Sequence, residues 1–165
     1  MKLAKAALGA ALAGLLLVGC GSDGGNEQAE APPTATTSDQ RSQDFGSHVL
    51  HFNAQPTADL QPEIAQQYGI VRSKKRAMLN ISIVKKLPGS TGQPVPGEVT
   101  ASATNLTGQL KTVSLREIKD GGAVYYIADL PVANGETLTF EILAQPADYE
   151  GEAFPASFTE TFYSD

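Results

Sequence analysis

The 165 residues hold one cysteine, no tryptophan, two methionines and two histidines. A single thiol excludes an internal disulfide, so the fold rests on its apolar core alone. The two histidines, His48 and His51, stand three apart in an alternating stretch. Odd spacing in a strand sends side chains to opposite faces, so the pair cannot hold one metal ion. No apolar run reaches the roughly 20 residues a membrane-spanning helix needs. Cations are scarce too: 12 Lys and Arg against 18 Asp and Glu give a net charge of −6. That balance excludes nucleic acid as a general partner, because phosphate binding needs cationic neutralisation, and it excludes broad adhesion to anionic lipid.

What the chain does have begins with a leader. Lys2 and Lys5 precede Ala6 to Val18, an uncharged core of 13 residues that matches a secretory signal rather than a span. It ends in Leu17-Val18-Gly19-Cys20, which places the only cysteine behind small residues. This segment resembles the lipobox of bacterial lipoproteins. The resemblance implies cleavage before Cys20, a diacylglycerol thioether on its sulfur and acylation of the new amino group. One acyl chain holds a protein weakly, whereas two or more hold it firmly on a membrane. In such signals an aspartate directly after the cysteine keeps the protein at the inner membrane. Gly21 and Ser22 stand there instead, which favours the periplasmic leaflet of the outer membrane. Loss of Lys2 and Lys5 leaves 10 cations against 18 anions, a net charge of −8.

Composition then divides the chain into residues 1–19 as signal peptide, 20–44 as lipidated cysteine and disordered linker, and 45–165 as the folded domain. Residues 21–44 contain no large apolar side chain, so ordering them buries almost nothing. As a flexible coil they span about 27 Å end to end. The remainder is of ordinary single-domain size.

Its dominant period is two, the signature of half-buried strands. Seven runs alternate: 46–53, 77–83, 98–104, 112–116, 124–130, 137–142 and 154–162. Asp120-Gly121 and Asn134-Gly135 are strong hairpin turns, since type I′ geometry needs positive φ at both central residues. They predict a three-stranded meander from Lys111 to Ile142. One helix is expected, Gln61 to Tyr68, with Pro62 in its first turn, Glu63 at its positive end and Gly69 after its last turn. The fold class is therefore all-β, an immunoglobulin-like sandwich of about seven strands with one short helix.

Several segments of the domain are also familiar together. Gln61-Pro62-Glu63-Ile64-Ala65 with Tyr68-Gly69-Ile70-Val71-Arg72-Ser73-Lys74, Ala103-Thr104-Asn105-Leu106, and Val124 to Ala128 followed by Thr137-Leu138 resemble bacterial domain-of-unknown-function family 4426. The resemblance covers residues 45–165. It implies an exported domain with an immunoglobulin-like sandwich, and it brings no catalytic or binding residues.

Few groups are arranged for chemistry. Ser82-Ile83-Val84-Lys85 spells the Ser-x-x-Lys pattern of acylating enzymes, but a strand sends that serine and lysine to opposite faces. His48 and His51 read as half-exposed strand histidines with no visible Ser, Cys or carboxylate partner. Asp148, Glu150 and Glu152 lack the alternating ligands of a calcium loop and read as a solvated connection. Glu160 shares the parity of Phe158 and Phe162, so it belongs at a sheet end beside water. No catalytic residue, metal or cofactor is assigned.

The sharpest feature is Arg72, Lys74, Lys75 and Arg76, four of the ten mature cations within five residues. Such a segment can steer an acidic partner, or simply be a solvated loop entering the next strand. Tyr125 is a second candidate contact, on the face opposite Tyr126. The expected function is a non-enzymatic binding or adaptor module for another envelope component, anchored to the membrane through Cys20. The alternative is a small-ligand binder with a pocket between the short helix and the sandwich, near Tyr68. A hydrolase stands third.

Overall fold

A computed structural model of the chain describes residues 41–164, and two antiparallel sheets hold more than half of them. The larger sheet runs β1 (Ser42–Asp44), β2 (His48–Pro56), β3 (Arg76–Lys85), with β4 (Gln93–Val95) also pairing β3. The chain then crosses at Pro96 to the smaller sheet for β5 (Gly97–Asn105) and β6 (Leu110–Lys111). It returns to the larger sheet as β7 (Arg116–Asp120) and β8 (Ala123–Pro131), and ends in the smaller sheet as β9 (Glu136–Pro146) and β10 (Phe154–Phe162). Neighbour order is β1-β2-β3-β8-β7 in one sheet and β10-β9-β5-β6 in the other.

Period-two alternation puts one row of each strand into the space between the sheets. Leu50, Phe52 and Ala54 of β2, Leu79, Ile81 and Ile83 of β3, and Tyr126 and Leu130 of β8 meet Leu138, Phe140 and Ile142 of β9 and Phe158 and Phe162 of β10. Phe140 stacks on Phe158 at 4.9 Å between ring centres, and Phe158 on Phe52 at 5.1 Å, so aromatic contacts tie both sheets.

The all-β sandwich stands as expected, but with ten strands rather than about seven. Three of the additions, β1, β4 and β6, are two or three residues long and too short for alternation to register. β1 also draws Ser42-Gln43-Asp44 out of the stretch that composition gave to the linker. These residues offer no apolar side chain and join through main-chain pairing to β2 alone. The expected strand at 112–116 is instead, over 112–115, the crossing between sheets, where Val113 and Leu115 pack on the core from a non-strand segment, and Arg116 already opens β7.

The meander is likewise corrected. β7 and β8 do form a hairpin, with Asp120 opposite Ala123 and both Gly121 and Gly122 at positive φ. Asn134-Gly135, however, carries the chain from β8 in one sheet to β9 in the other. Local turn chemistry specifies reversal of the chain, not whether the two arms share a sheet.

The helix is where the sequence places it. α1 (Pro62–Gln67) starts after Gln61, stops at Tyr68 and is followed by Gly69 at φ 63°. Six residues cannot hold a helix unaided. Here Ala65, with Leu60 and Ile70, packs on Met78 and Ile127 of the larger sheet, making a second small core on its outer face.

Candidate functional site

The second core leaves a cleft beside it. Ile64 and Tyr68 of the helix segment face Met78 and Asn80 of β3 and Tyr125 and Ile127 of β8 around a space of about 220 Å³. Parity explains the lining. Met78 and Asn80 point outward on β3, while Tyr125 and Ile127 point outward on β8, and the register sets Asn80 opposite Ile127. Five of the six residues present apolar or aromatic surface. The sixth is polar: the Oδ1 of Asn80 is buried and has no hydrogen-bond partner among the described residues. Such an atom costs on the order of 1–3 kcal/mol unless something donates to it.

One wall of the cleft is braced by charge. Gln67 Nε2 and the Tyr68 hydroxyl both donate to Asp120 Oδ2, at 2.9 and 3.1 Å, and an Arg116 guanidinium nitrogen donates to the Tyr68 carbonyl. Burial pushes the Tyr68 phenol above its ordinary pKa and the Asp120 carboxylate adds to the shift, so the phenol stays protonated as a donor. The helix C-terminus is thereby tied to the β7–β8 hairpin.

The candidate residues do not form one patch. Arg72 donates to the Ala58 carbonyl at 2.6 Å and so holds the turn before the helix. Arg76 clamps Asp129 of β8 through Nε and a terminal nitrogen, the former at 2.8 Å. Lys74 and Lys75 occupy the turn ahead of β3, and the Lys75 carbonyl accepts from Val132 N. Arg76 and Tyr125 do share the outer face of the larger sheet, Tyr125 in the lining of the cleft and Arg76 beyond its Met78 end. Tyr125 is half-buried against the second core.

His48 corrects the sequence reading. It is 1% exposed, not half-exposed, and it has both partners that the sequence did not reveal. Ser47 Oγ lies 2.9 Å from Nδ1, and Asp148 Oδ1 lies 3.0 Å from Nε2. Asp148 also accepts from Lys85 Nζ at 2.7 Å, so it is a structural anchor rather than a solvated loop residue. The Lys85 hydrogen bond holds the Asp148 carboxyl below its ordinary value; partial burial opposes this and His48 adds to it. Tyr149 and Phe154 close on the imidazole, with ring centres 5.8 and 5.7 Å away. The order Ser–His–Asp matches a nucleophile relay, but Lys85 already neutralises the acid and the ring is enclosed. The arrangement pins the start of β2 to the loop after β9. No sequence signal marks it, because the two partners lie 100 residues apart. His51 faces outward opposite Ser82, on the other side of the sheet.

Among the described residues no cluster of His, Cys, Asp and Glu could hold a metal, and no helix is long and apolar enough to cross a membrane. Cys20 lies outside the described residues.

Comparison with known proteins gives a family and a fold. The model of the domain of unknown function DUF4426 matches residues 42–165. The crystal structure of a DUF4426 family protein (PA0388) from Pseudomonas aeruginosa PAO1 is 32% identical, with a TM-score of 0.63, over 75% of this chain and 94% of that one. FetP of uropathogenic E. coli strain F11, recombinantly expressed in the periplasm of E. coli BL21(DE3), is 14% identical with a TM-score of 0.52. That match covers 75% of this chain and 93% of FetP, and it is a likeness of fold. No curated protein matches the chain.

Proposed function

This chain belongs to the DUF4426 family, and since membership brings a fold without an assigned chemistry, we propose its function from the cleft. The protein is a non-enzymatic binding module, held by lipid on Cys20 at the periplasmic leaflet of the outer membrane, that recognises another envelope component. The single observation behind this reading is the cleft itself, in which Ile64, Tyr68, Met78, Tyr125 and Ile127 line an apolar space with one polar amide, Asn80. Its complement is a group with an apolar body and one N–H or O–H, such as an inserted side chain of a protein partner. The Arg76–Asp129 pair borders that face and supplies polar rim contacts.

A second reading shares the site: the volume of about 220 Å³ also suits a small apolar molecule carrying one donor. Replacing Tyr125 by a photo-crosslinking amino acid in cells separates the two. A single envelope protein captured from position 125, and lost with Asn80→Leu, is the expected result. If no protein is captured but envelope small-molecule extract raises the melting temperature of the wild type and not of Asn80→Leu, the small-ligand reading replaces it. Neither effect would sink the cleft as the binding site.

A further inference from the structure

Sheet edges expose unpaired main-chain donors and acceptors, and among the described residues β10 is the longest such edge. β7 is an edge of five residues, four of them the charged Arg116, Glu117, Lys119 and Asp120. β1, β4 and β6 are only two or three residues long. Past β6, the Tyr126 hydroxyl takes both main-chain groups of Gly97 on β5, Glu98 follows, and only the short stretch from Val99 to Ser102 is left without a partner on that side. β10 is different. It runs nine residues, pairs among the described residues with β9 alone, and carries one ionisable side chain, Glu160, whose carboxylate is held by Arg41 at 2.7 Å.

Its free side can be assigned residue by residue. In an antiparallel strand the N–H and C=O of one residue point to the same side, and neighbours alternate. The Phe162 carbonyl accepts from Gly135 on the β9 side, so the even-numbered residues face β9. Residues 155, 157, 159 and 161 therefore turn their main chain outward. Pro155 lacks an N–H on the edge where no described strand needs one. The other three offer N–H and C=O together, with Ser157, Thr159 and Thr161 as neutral outer-face side chains.

We propose that β10 is a pairing edge and that its occupant is β10 of a second copy, added antiparallel about a two-fold axis. Charge decides for the copy. An antiparallel β10–β10 pairing sets only neutral side chains against neutral side chains on the outer face, Pro155, Ser157, Thr159 and Thr161, and Glu160 is already neutralised by Arg41 within each copy. Pairing extends the Thr139–Thr159 and Thr137–Thr161 hydroxyl contacts into the partner, the kind of cross-strand contact that stabilises a sheet. The four-stranded sheet becomes an eight-stranded one through an isologous contact. This inference is independent of the cleft, which lies on the outer face of the other sheet.

Sedimentation of the full chain, in detergent, against Thr159→Lys tests it. Lysine on the outer face leaves the core untouched and sets like charges near one another across the axis, so dimerisation is expected to weaken roughly tenfold. In a second experiment, full chains with Cys20→Ser carry either Thr159→Cys or Thr100→Cys and meet a short thiol cross-linker. Cross-linking through position 159 and not 100 is expected. A wild type that stays monomeric at every attainable concentration overturns the proposal, and leaves the edge to a foreign strand. A dimer indifferent to Thr159→Lys, or cross-linked through Thr100→Cys, overturns it as well by placing the contact elsewhere.

Discussion

His48 shows how much one buried side chain depends on distant partners. Its ring is enclosed by Tyr149 and Phe154, and its Nε2 meets Asp148 from a loop 100 residues on. Asp148→Ala strands that nitrogen and should cost about 1–3 kcal/mol of stability near pH 7, read from the urea midpoint. The acid dependence has a definite sign. Because the folded-state pKa of Asp148 is depressed below its ordinary 3.8, its stabilisation is present above about pH 4 and is lost as pH falls through the folded value. The wild type is therefore expected to lose more stability than Asp148→Ala between pH 5 and pH 2, so that their curves converge. Parallel curves would mean that Asp148 does not carry the interaction.

At the scale of elements, the tightest approach is where β5 leaves its crossing. Gly97 lies against the Gln145 carbonyl of β9 and Ile83 of β3, and an added Cβ would collide with both. Its N–H and C=O also engage the Tyr126 hydroxyl, at 2.7 and 2.8 Å, which joins β8 of one sheet to β5 of the other. Gly97→Ala is expected to lower stability by about 1–3 kcal/mol, mainly by forcing β5 from β9 and loosening that hydroxyl. Calorimetry beside a Gly108→Ala control distinguishes this from backbone strain, since Gly108 has open space but a φ of 80°. A larger loss at Gly108 would sink the packing account. The helix belongs to the same scale: six residues are ordered because Ala65 buries on the sheet and Asp120 binds Gln67 and Tyr68.

At the scale of the whole molecule, anchoring and folding are separate properties. The described domain has a complete core within residues 41–164, while the proposed attachment lies at Cys20. Cys20→Ser is therefore expected to move the protein from the membrane fraction to the soluble periplasmic fraction with its melting temperature unchanged. Retention on the membrane would refute the lipid anchor. Alternation made the long strands and their inward rows legible in the sequence, because burial on one face imposes a period of two whatever the neighbour. Helix α1 was legible for a similar reason: Pro62 and Gly69 act through their own backbones. Turns, too, announced reversals. Which strands share a sheet, which edge stays open, and which polar groups meet are long-range outcomes. Asn134-Gly135 joins two sheets, Asp148 finds His48, and Asn80 is orphaned beneath a helix, only once packing has chosen neighbours that no local pattern encodes.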